Sequence, residues 1–401
     1  MDRFYTKWGK AKHWFLWMAL PIGLTVALMW HAPQNSSETT KFIYALIMYN
    51  LFCTFCTAVR IPSAGIASIV TESSKVRANL GFFIGGSTTI ATSLAGWLLN
   101  PCIARYGETL QAYRMLAIIC GVLGAITLFA TGLLMVEQRT GDEWHELDEE
   151  FKAMNQGEKR STKEDLKILI KNKYWVYNTI ISFFSGFAMG FAFGTMGYFM
   201  QFVMKDMSKM GVLLTVMSVP NYLGCIAGLP IGNWLEARAT LIISNIIQLA
   251  AVLLMWIGGP EHWNLILIGM CIKAFMTGAT QPATQNIGAR IVDYGEWQSG
   301  VRQDGLTRSW SSVFQKIASA LVTAVLGYTL AAAGYQGGAE MPQNAVNIIS
   351  FFFLGFSAFM LVPTIILYFL MDLSEDKMKV YRAEIAERRA ATQAQMDEPG
   401  E

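Results

Sequence analysis

Charged residues are scarce in this 401-residue sequence, where Asp, Glu, Lys and Arg together make up 15% of the chain. A soluble domain usually carries about 25% charged residues, and its apolar runs end before the roughly 17–25 residues that cross a bilayer. Here hydrophobic residues make up 53% of the chain, and apolar runs of that length recur from end to end. The composition excludes an ordinary soluble domain and predicts an all-α, polytopic membrane protein.

The sequence is also poor in residues for catalysis and metal binding. Its four histidines lie at or outside the edges of the apolar runs and form no metal-binding set. All six cysteines lie within apolar runs, which favours small packing residues over disulfides. No nucleophile–base pair and no phosphate-binding loop is present, so we expect neither an enzyme nor a cofactor. A net charge of +2, carried in loops, gives no indication of nucleic-acid binding.

About ten apolar runs are long enough to form transmembrane helices. The hydrophilic segments between alternate runs hold most of the 31 Lys and Arg residues, which places those segments and both termini in the cytoplasm. We therefore expect a multi-pass protein of the plasma (inner) membrane, surrounded by lipid. The runs cover residues 15–30, 42–69, 80–103, 112–136, 175–203, 210–229, 241–257, 263–288, 306–333 and 346–371.

The longest hydrophilic segment, residues 137–173, separates four predicted helices in residues 1–136 from six in residues 174–371. We expect this segment to be a cytoplasmic central loop, with an amphipathic piece at 166–170 that lies on the membrane surface. Residues 372–401 should form a cytoplasmic tail that contains a short solvated or interfacial helix.

Four cations lie inside predicted helices: Arg60, Lys273, Lys316 and, closer to a loop, Arg308. No Asp or Glu occupies the middle of any predicted helix, although charges in membranes normally pair or face a water-filled cavity. The missing negative charge must come from a ligand, from absent protein, or from lysines that lose their protons. Structural alternatives are a snorkelling or neutralised Lys316 and an Arg60 that bonds helix carbonyls near the inner end.

Prolines inside the apolar runs mark further candidate positions, because unwound backbone in a membrane is tolerated beside a cavity. The prolines are Pro62, Pro220 and Pro282. Gln281 directly precedes Pro282 in the segment TQPATQ and is therefore a candidate for hydrogen bonds to a polar substrate.

The segment from Asp293 to Tyr335, DYGEWQSGVRQDGLTRS…FQK…GY, carries the most specific motif. It resembles the signature of the glycoside–pentoside–hexuronide:cation symporters, the melibiose-permease-like branch of the major facilitator superfamily. In that family a cytoplasmic loop of this type joins the tenth and eleventh helices, and a lysine follows in the eleventh. The matching residues are Asp293, Tyr294, Gly295, Glu296, Gly300, Arg302, Asp304, Gly305 and Lys316.

Two further stretches extend the resemblance over essentially the whole chain. DRFYTKWGKAKHWFLWMALP near the start resembles the family's loop between helices two and three, and CTAVRIPSAGIASIV resembles its fourth helix. The resemblance implies a major-facilitator-type helical bundle with about ten of the usual twelve transmembrane helices. Residues 1–136 then form an incomplete N-terminal half, helices three to six, and residues 174–371 form helices seven to twelve. We expect the start to be truncated or wrongly assigned, or the chain to be a relic that cannot couple.

The resemblance implies a secondary active transporter of a glycoside that works by alternating access, is coupled to Na⁺ or H⁺, and acts as a monomer. Paired aspartates of the family's first two helices hold the cation, and of that site only Thr57 of the fourth helix is present here. Coupled symport is expected if the missing helices exist. The alternatives are a non-transporting sensor, scaffold or degenerate fragment, and a carrier for a non-sugar amphiphile.

Departures from the family pattern bear on the substrate. Arg60 stands where the family usually has Asp or Asn, Arg290 where it has Asp, and Arg308 where it has an aromatic residue. A carboxylate accepts hydrogen bonds from sugar hydroxyls. A guanidinium in its place instead acts as a clamp for an anion, to which it donates hydrogen bonds. We therefore expect an anionic sugar, such as a uronide or a sulfonated sugar, unless Arg60 pairs with an aspartate of the missing helices. The predicted substrate-binding residues are Arg60, Lys273, Gln281, Arg308 and Lys316.

Residues 289–305 are predicted to form a charged cytoplasmic loop. Its charges are predicted to form gate ion pairs that hold the two halves together in the outward-open state, and the alternative is that they are simply solvated. The predicted gate residues are Asp293, Glu296, Arg302 and Asp304.

Overall fold

A computed structural model describes residues 11–33, 36–70, 74–107, 109–137, 162–300, 304–335 and 341–397. Every regular element within these ranges is helical, as the apolar runs predict. The chain divides into two compact units, Met1–Lys159 and Arg160–Glu401. The helices of unit 1 are α1 (Lys12–Leu28), α2 (Glu38–Val70), α3 (Ser74–Tyr106) and α4 (Leu110–Leu134).

Unit 2 contains a short first helix, five long helices, a last membrane helix in two pieces, and a C-terminal helix. The short and long helices are α5 (Thr162–Lys171), α6 (Lys173–Tyr198), α7 (Met210–Trp234), α8 (Ala237–Gly258), α9 (Trp263–Ser299) and α10 (Asp304–Ala332). The last membrane helix consists of α11 (Gln343–Ser350), a π-helical turn (Phe351–Gly355) and α12 (Phe356–Leu370), and α13 (Glu375–Asp397) follows.

In unit 1, small residues let the backbones of α1 and α4 approach each other closely. A Cβ atom on Gly23 would lie 2.8 Å from the Gly121 carbonyl oxygen, so these two glycines allow the backbones to touch. The Glu137 carboxylate, just after α4, accepts the backbone N–H groups of Ala11 and Lys12 at 2.8 and 2.7 Å. A negative charge at a helix N-terminus is favourable, and here it ties the start of α1 to the end of α4.

In unit 2, α7 and α9 pack through glycines in the same way. A Cβ atom on Gly278 of α9 would lie 1.8 Å from the Asn221 carbonyl oxygen of α7. A Cβ atom on Gly224 of α7 would lie 1.9 Å from the Phe275 carbonyl oxygen. Because lipid is as apolar as any side chain, such close contact is a main source of helix association in membranes.

The core of unit 2 contains a stack of phenylalanine rings. The rings of Phe191 and Phe352 lie 4.2 Å apart, and those of Phe199 and Phe353 lie 4.4 Å apart, both pairs stacked. Phe352 and Phe353 belong to the π-helical turn of the last membrane helix. The stack therefore fixes that helix against α6.

Each of the predicted transmembrane runs coincides with a helix of the structure. Among the described helices, eight are long and apolar enough to cross a membrane, and α1 is a shorter apolar helix. The prediction of an all-α, polytopic membrane protein is confirmed.

The prediction of a loop over residues 289–305 is wrong for its first part. Helix α9 continues to Ser299 and has 37 residues, which corresponds to about 55 Å of helix, whereas a hydrocarbon layer is about 30 Å thick. The helix ends at Gly300, which has a φ of 72° and donates its N–H to the Glu296 carbonyl at 2.8 Å. Glycine suits this left-handed position. We call residues 289–299 the α9 extension.

The two helices outside the predicted spans, α5 and α13, pack against the rest of unit 2 through apolar residues. Leu169 of α5 is buried in the same cluster as Trp175 and Ile291. Leu373 and Met378 are fully buried at the start of the tail. Leu169 thus faces protein, whereas Ile170 is exposed. The tail helix is packed on one side and is not solvated all round.

We predict that Gly278→Ala will lower the melting temperature of the detergent-solubilised protein, because the new methyl group meets the backbone of α7. Overpacking of this kind usually costs about 1–3 kcal/mol. Gly288→Ala on the same helix is the control, since a Cβ atom there meets nothing within 4 Å. Equal melting temperatures for the two variants would contradict the close α7–α9 contact.

Candidate functional site

A stripe of polar side chains runs along one exposed face of α2. The residues follow one another at intervals of three or four positions, so they share one side of the helix. The opposite side of the helix packs against α1 through Phe52, Phe55 and Val59. The stripe consists of Asn50, Thr54, Thr57 and Arg60, and all four are exposed.

Thr57 presents a hydroxyl oxygen on this stripe. Its hydroxyl donates to the Cys53 carbonyl at 2.7 Å, as threonines in membrane helices commonly do. The lone pairs of the oxygen stay available, because a hydroxyl can accept while it donates. Thr57 can therefore act as an oxygen ligand, which is the role that the family resemblance implies for it.

Arg60 lies at the end of the apolar span Glu38–Arg60 and is exposed. Within the described ranges, no hydrogen bond or ion pair reaches its guanidinium. A guanidinium does not lose its proton in proteins, so burial cannot neutralise it. The charge must be met by water or by an anion.

Lys316 is exposed on α10, inside the apolar span Val313–Ala332. It lies about 18 Å from the start of the helix at 1.5 Å per residue. Ala318 and Val322 are buried on the packed face of α10, against α6. In the part of the chain that the structure describes, the Lys316 ammonium has no bonding partner.

Helix α9 exposes a short polar face next to its proline. Gln281, Thr284 and Gln285 are exposed there, and Pro282 lies among them inside the helix. Proline removes one backbone hydrogen bond, which leaves a carbonyl oxygen of the preceding turn free to accept. These groups can bind hydroxyls, as the prediction for Gln281 requires.

Lys273 differs from the other cations because its ammonium contacts protein. Its Nζ donates to Ser357 Oγ of α12 at 2.9 Å. One turn later, Thr277 donates to Gln248 Oε1 of α8 at 3.0 Å. Lys273 therefore lies in the interior of unit 2, where α8, α9 and α12 meet. The structure does not place it on the exposed face of Gln281, and sequence reasoning missed Ser357 and Gln248.

Several predicted site residues are not described by the structure. Arg302 lies outside the described residues, and the side chains of Asp304 and Arg308 lie outside them as well, although both positions belong to α10.

Arg290 is the centre of a buried ionic network, which sequence reasoning did not find. Its side chain is 4% exposed and pairs with Glu236 at 3.2 Å and with Glu375. It also donates to the Leu373 carbonyl at 2.6 Å and to Asn286 Oδ1 at 2.7 Å. The interpretation of Arg290 as a change in substrate charge is wrong, because its charge is neutralised within unit 2. The spacing of its acidic partners, far apart in sequence, gave no signal.

Two predicted gate residues lie on the α9 extension. Asp293 Oδ2 accepts from Arg382 Nε of α13 at 2.9 Å. Glu296 is 7% exposed. The ion pair of Asp293 lies within unit 2, so this structure gives Asp293 a partner in the tail helix.

The junction between α12 and α13 carries further ion pairs. Arg238 donates to the carbonyls of Tyr368 and Phe369 at 3.2 and 2.5 Å, which satisfies the C-terminal end of α12. Lys377 pairs with Asp372. The hydrogen bond from Lys377 lowers the pKa of the Asp372 carboxyl, and the same bond raises the pKa of Lys377.

Comparisons with known proteins agree on the class of this chain. A family model described as MFS/sugar transport protein matches residues 1–375. An isoprimeverose transporter of Lactiplantibacillus pentosus is 24% identical over an alignment of 410 positions, which covers 99% of this chain and 81% of the relative. A glucuronide carrier protein homolog of Escherichia coli (strain K12) is 23% identical over an alignment of 411 positions, which covers 98% of this chain and 84% of the relative.

Among solved structures, the E. coli fucose:proton symporter FucP has a similar fold. The TM-score is 0.52 at 16% sequence identity, over 91% of this chain and 84% of the other. The major-facilitator-type fold that the sequence resemblance implies is thereby confirmed.

We predict that Arg290→Gln lowers the free energy of unfolding by about 2 kcal/mol, since hydrogen bonds to charged groups contribute about 1.5–3 kcal/mol. The loss of stability is smaller than for a fully buried ion pair, because Glu236 and Glu375 are 38% and 47% exposed and remain hydrated. Thermal unfolding in detergent measures the effect. Lys379→Gln, which removes an exposed pair with Asp376, is the control and should change little. Equal effects of the two variants would contradict the network.

Proposed function

This chain belongs to the MFS/sugar transport protein family, and we propose that it carries an anionic glycoside across the membrane by cation-coupled alternating access. The observation that carries this proposal is the pair of exposed cations, Arg60 and Lys316, on membrane helices. Neither has an acidic partner among the described residues. A substrate carboxylate or sulfonate would supply the charge that they lack.

The energetics favour an anion as the partner of these cations. A charge in the hydrocarbon layer is costly unless it is paired or hydrated, and a bound anion removes that cost. Arginine binds carboxylates through two parallel hydrogen bonds, which also fixes their orientation. A glucuronide is such an anionic sugar, and a glucuronide carrier homolog is among the relatives.

The uncharged polar groups suit the hydroxyls of a sugar. Asn50 and Thr54 lie beside Arg60 on α2, and Gln281 and Thr284 are exposed on α9. Such donors and acceptors give orientation and specificity in sugar sites. Lys273 is left out of this set because it bonds Ser357, and Arg308 remains a proposed member on sequence grounds.

The remaining roles follow the sequence analysis. The protein is proposed to be a monomer of the inner membrane with both termini in the cytoplasm, because basic residues gather in alternate loops. Asp293, Glu296, Arg302 and Asp304 are proposed to form a charged gate on that side. Na⁺ or H⁺ is the coupling ion, with Thr57 as one ligand if the ion is Na⁺.

A neutral glycoside is the second candidate substrate. The similarity to an isoprimeverose transporter over 99% of this chain supports it, and so does the uncharged polar face around Gln281. In that case Arg60 would hold water or a protein carboxylate and would not contact the substrate.

We predict that Arg60→Gln lowers the uptake of a radiolabelled glucuronide in vesicles by at least about tenfold, through a higher Km. A tenfold loss corresponds to about 1.4 kcal/mol, which is within the range of one charge-assisted hydrogen bond. Arg60→Lys should retain part of the activity, because it keeps the charge but not the fork of donors.

Lys41→Gln is the matched control for this test. Lys41 is on the same helix and pairs with Glu38 at 2.9 Å near its other end, so its loss should leave uptake unchanged. Normal glucuronide uptake by the Arg60→Gln variant would show that Arg60 does not bind the substrate anion. Uptake of a neutral pentose disaccharide but not of glucuronide by the unmodified protein would establish the second candidate.

We predict that Thr57→Val raises the Na⁺ concentration for half-maximal uptake by about tenfold, because one oxygen ligand is replaced by a methyl group of the same shape. Thr131→Val is the control, since Thr131 is an exposed threonine with the same type of backbone hydrogen bond, to Thr127 at 2.8 Å. Uptake that follows a pH gradient and is unaffected by Thr57→Val would remove Thr57 from the cation site.

A further inference from the structure

Helix α13 is bound along the α9 extension by its apolar face. Met378 is fully buried and Ile385 is 8% exposed. Between them, the Tyr381 ring lies 4.4 Å from the ring of Trp297 and 5.7 Å from that of Tyr294, measured between centroids. The tail helix is therefore seated in a defined register on the extension.

Polar contacts surround this aromatic contact. Arg382 pairs with Asp293 at 2.9 Å and, less closely, with Glu375 at 3.8 Å. Trp297 donates its ring N–H to Glu384 at 2.7 Å, and Arg388 donates to the Trp297 carbonyl at 2.8 Å. Both ends of the Trp297 residue, side chain and backbone, are thus held by α13.

The two ends of α13 differ in how firmly they are attached. At the start, the buried Arg290 binds Glu375 and the Leu373 carbonyl, and Glu236 accepts the Glu375 backbone N–H at 3.0 Å. Farther along, the side chains of Arg382 and Arg388 are 48% and 57% exposed. Exposed ion pairs are weak and are screened by salt. The helix can therefore release its far end while its start stays fixed.

We propose that α13 is a hinged strap that slows transport by holding the α9 extension. Bound, it holds the side chain and the backbone of Trp297 and pairs with Asp293, so the extension is restrained. Released beyond Tyr381, it leaves the extension able to move. This inference rests on the proposed transport function.

The variant Arg382→Gln should raise the maximal rate of uptake about two- to fivefold, the size expected from one exposed ion pair, with an unchanged Km for the sugar. Arg382→Lys should restore a rate near that of the unmodified protein. Lys379→Gln, on the same helix and paired only locally with Asp376 at 3.5 Å, is the matched control and should have no effect.

Salt gives a second readout in proteoliposomes that contain the full chain. Raising KCl from about 10 mM to about 500 mM shortens the Debye length from about 30 Å to a few ångströms. The rate of the unmodified protein should therefore rise towards that of Arg382→Gln, whereas the rate of the variant should stay nearly constant. An uptake rate that depends equally on salt in both proteins would contradict the proposal that α13 slows transport.

Amide hydrogen exchange tests the binding of the strap without transport. In Arg382→Gln, residues 381–388 and residues 289–299 should both exchange faster, whereas residues 373–378, which keep their contacts with Arg290 and Glu236, should change less. Faster amide exchange without a faster rate of uptake would contradict the regulatory role of α13. Unchanged amide exchange would contradict the release of its far end. If the unmodified protein takes up no glycoside at all, the proposed function fails. Normal uptake with no effect of Arg382→Gln rejects the strap alone.

Discussion

A charge that is buried in protein or lies in the hydrocarbon layer must find a counter-ion, a hydrogen-bonding partner or water, and this requirement separates the cations of this chain. Arg290 has two carboxylates and a backbone carbonyl, so it stabilises unit 2. Lys273 has the Ser357 hydroxyl and lies in the interior of the same unit. Arg60 and Lys316 are exposed and have no such partner in the described residues. The same physical rule gives structural roles to the first two, and it is the reason why we propose a ligand-binding role for the others.

Close helix packing explains how these positions are held without a hydrophobic driving force between helices. Lipid tails are as apolar as leucine, so helices associate through van der Waals contact and hydrogen bonds. Gly278 and Gly224 bring the backbones of α7 and α9 into direct contact. The rigid pair that results fixes the exposed face of Gln281, and the stacked phenylalanines fix the last membrane helix against α6.

Sequence reasoning found the fold because long apolar runs leave few alternatives to transmembrane helices. It also singled out Arg60 and Lys316, since a lone charge in such a run is conspicuous, and their role in binding substrate stays a prediction. It was wrong about residues 289–299, which look like a loop because they are charged and contain Gly295, but whose helix is completed by contacts with α13. It was also wrong about Arg290. That residue's partners, Glu236 and Glu375, are 54 and 85 positions away in sequence, so only the folded chain brings them together.

Helix α9 links the interior contact of Lys273, the exposed Gln281 and the charged extension in one element of 37 residues. A straight, continuous helix would move these groups as a rigid body, so a displacement of one end would also displace the other. Pro282 has no N–H to donate to the Gly278 carbonyl, so one bond of the helix is missing in the turn that contains Gln281. Prolines are the usual place where a helix bends. The part beyond Pro282 is the part that α13 holds through Arg290, Asp293 and Trp297. A bend at Pro282 can therefore change the surroundings of Gln281 only if the extension moves, and that movement is what the tail helix restrains.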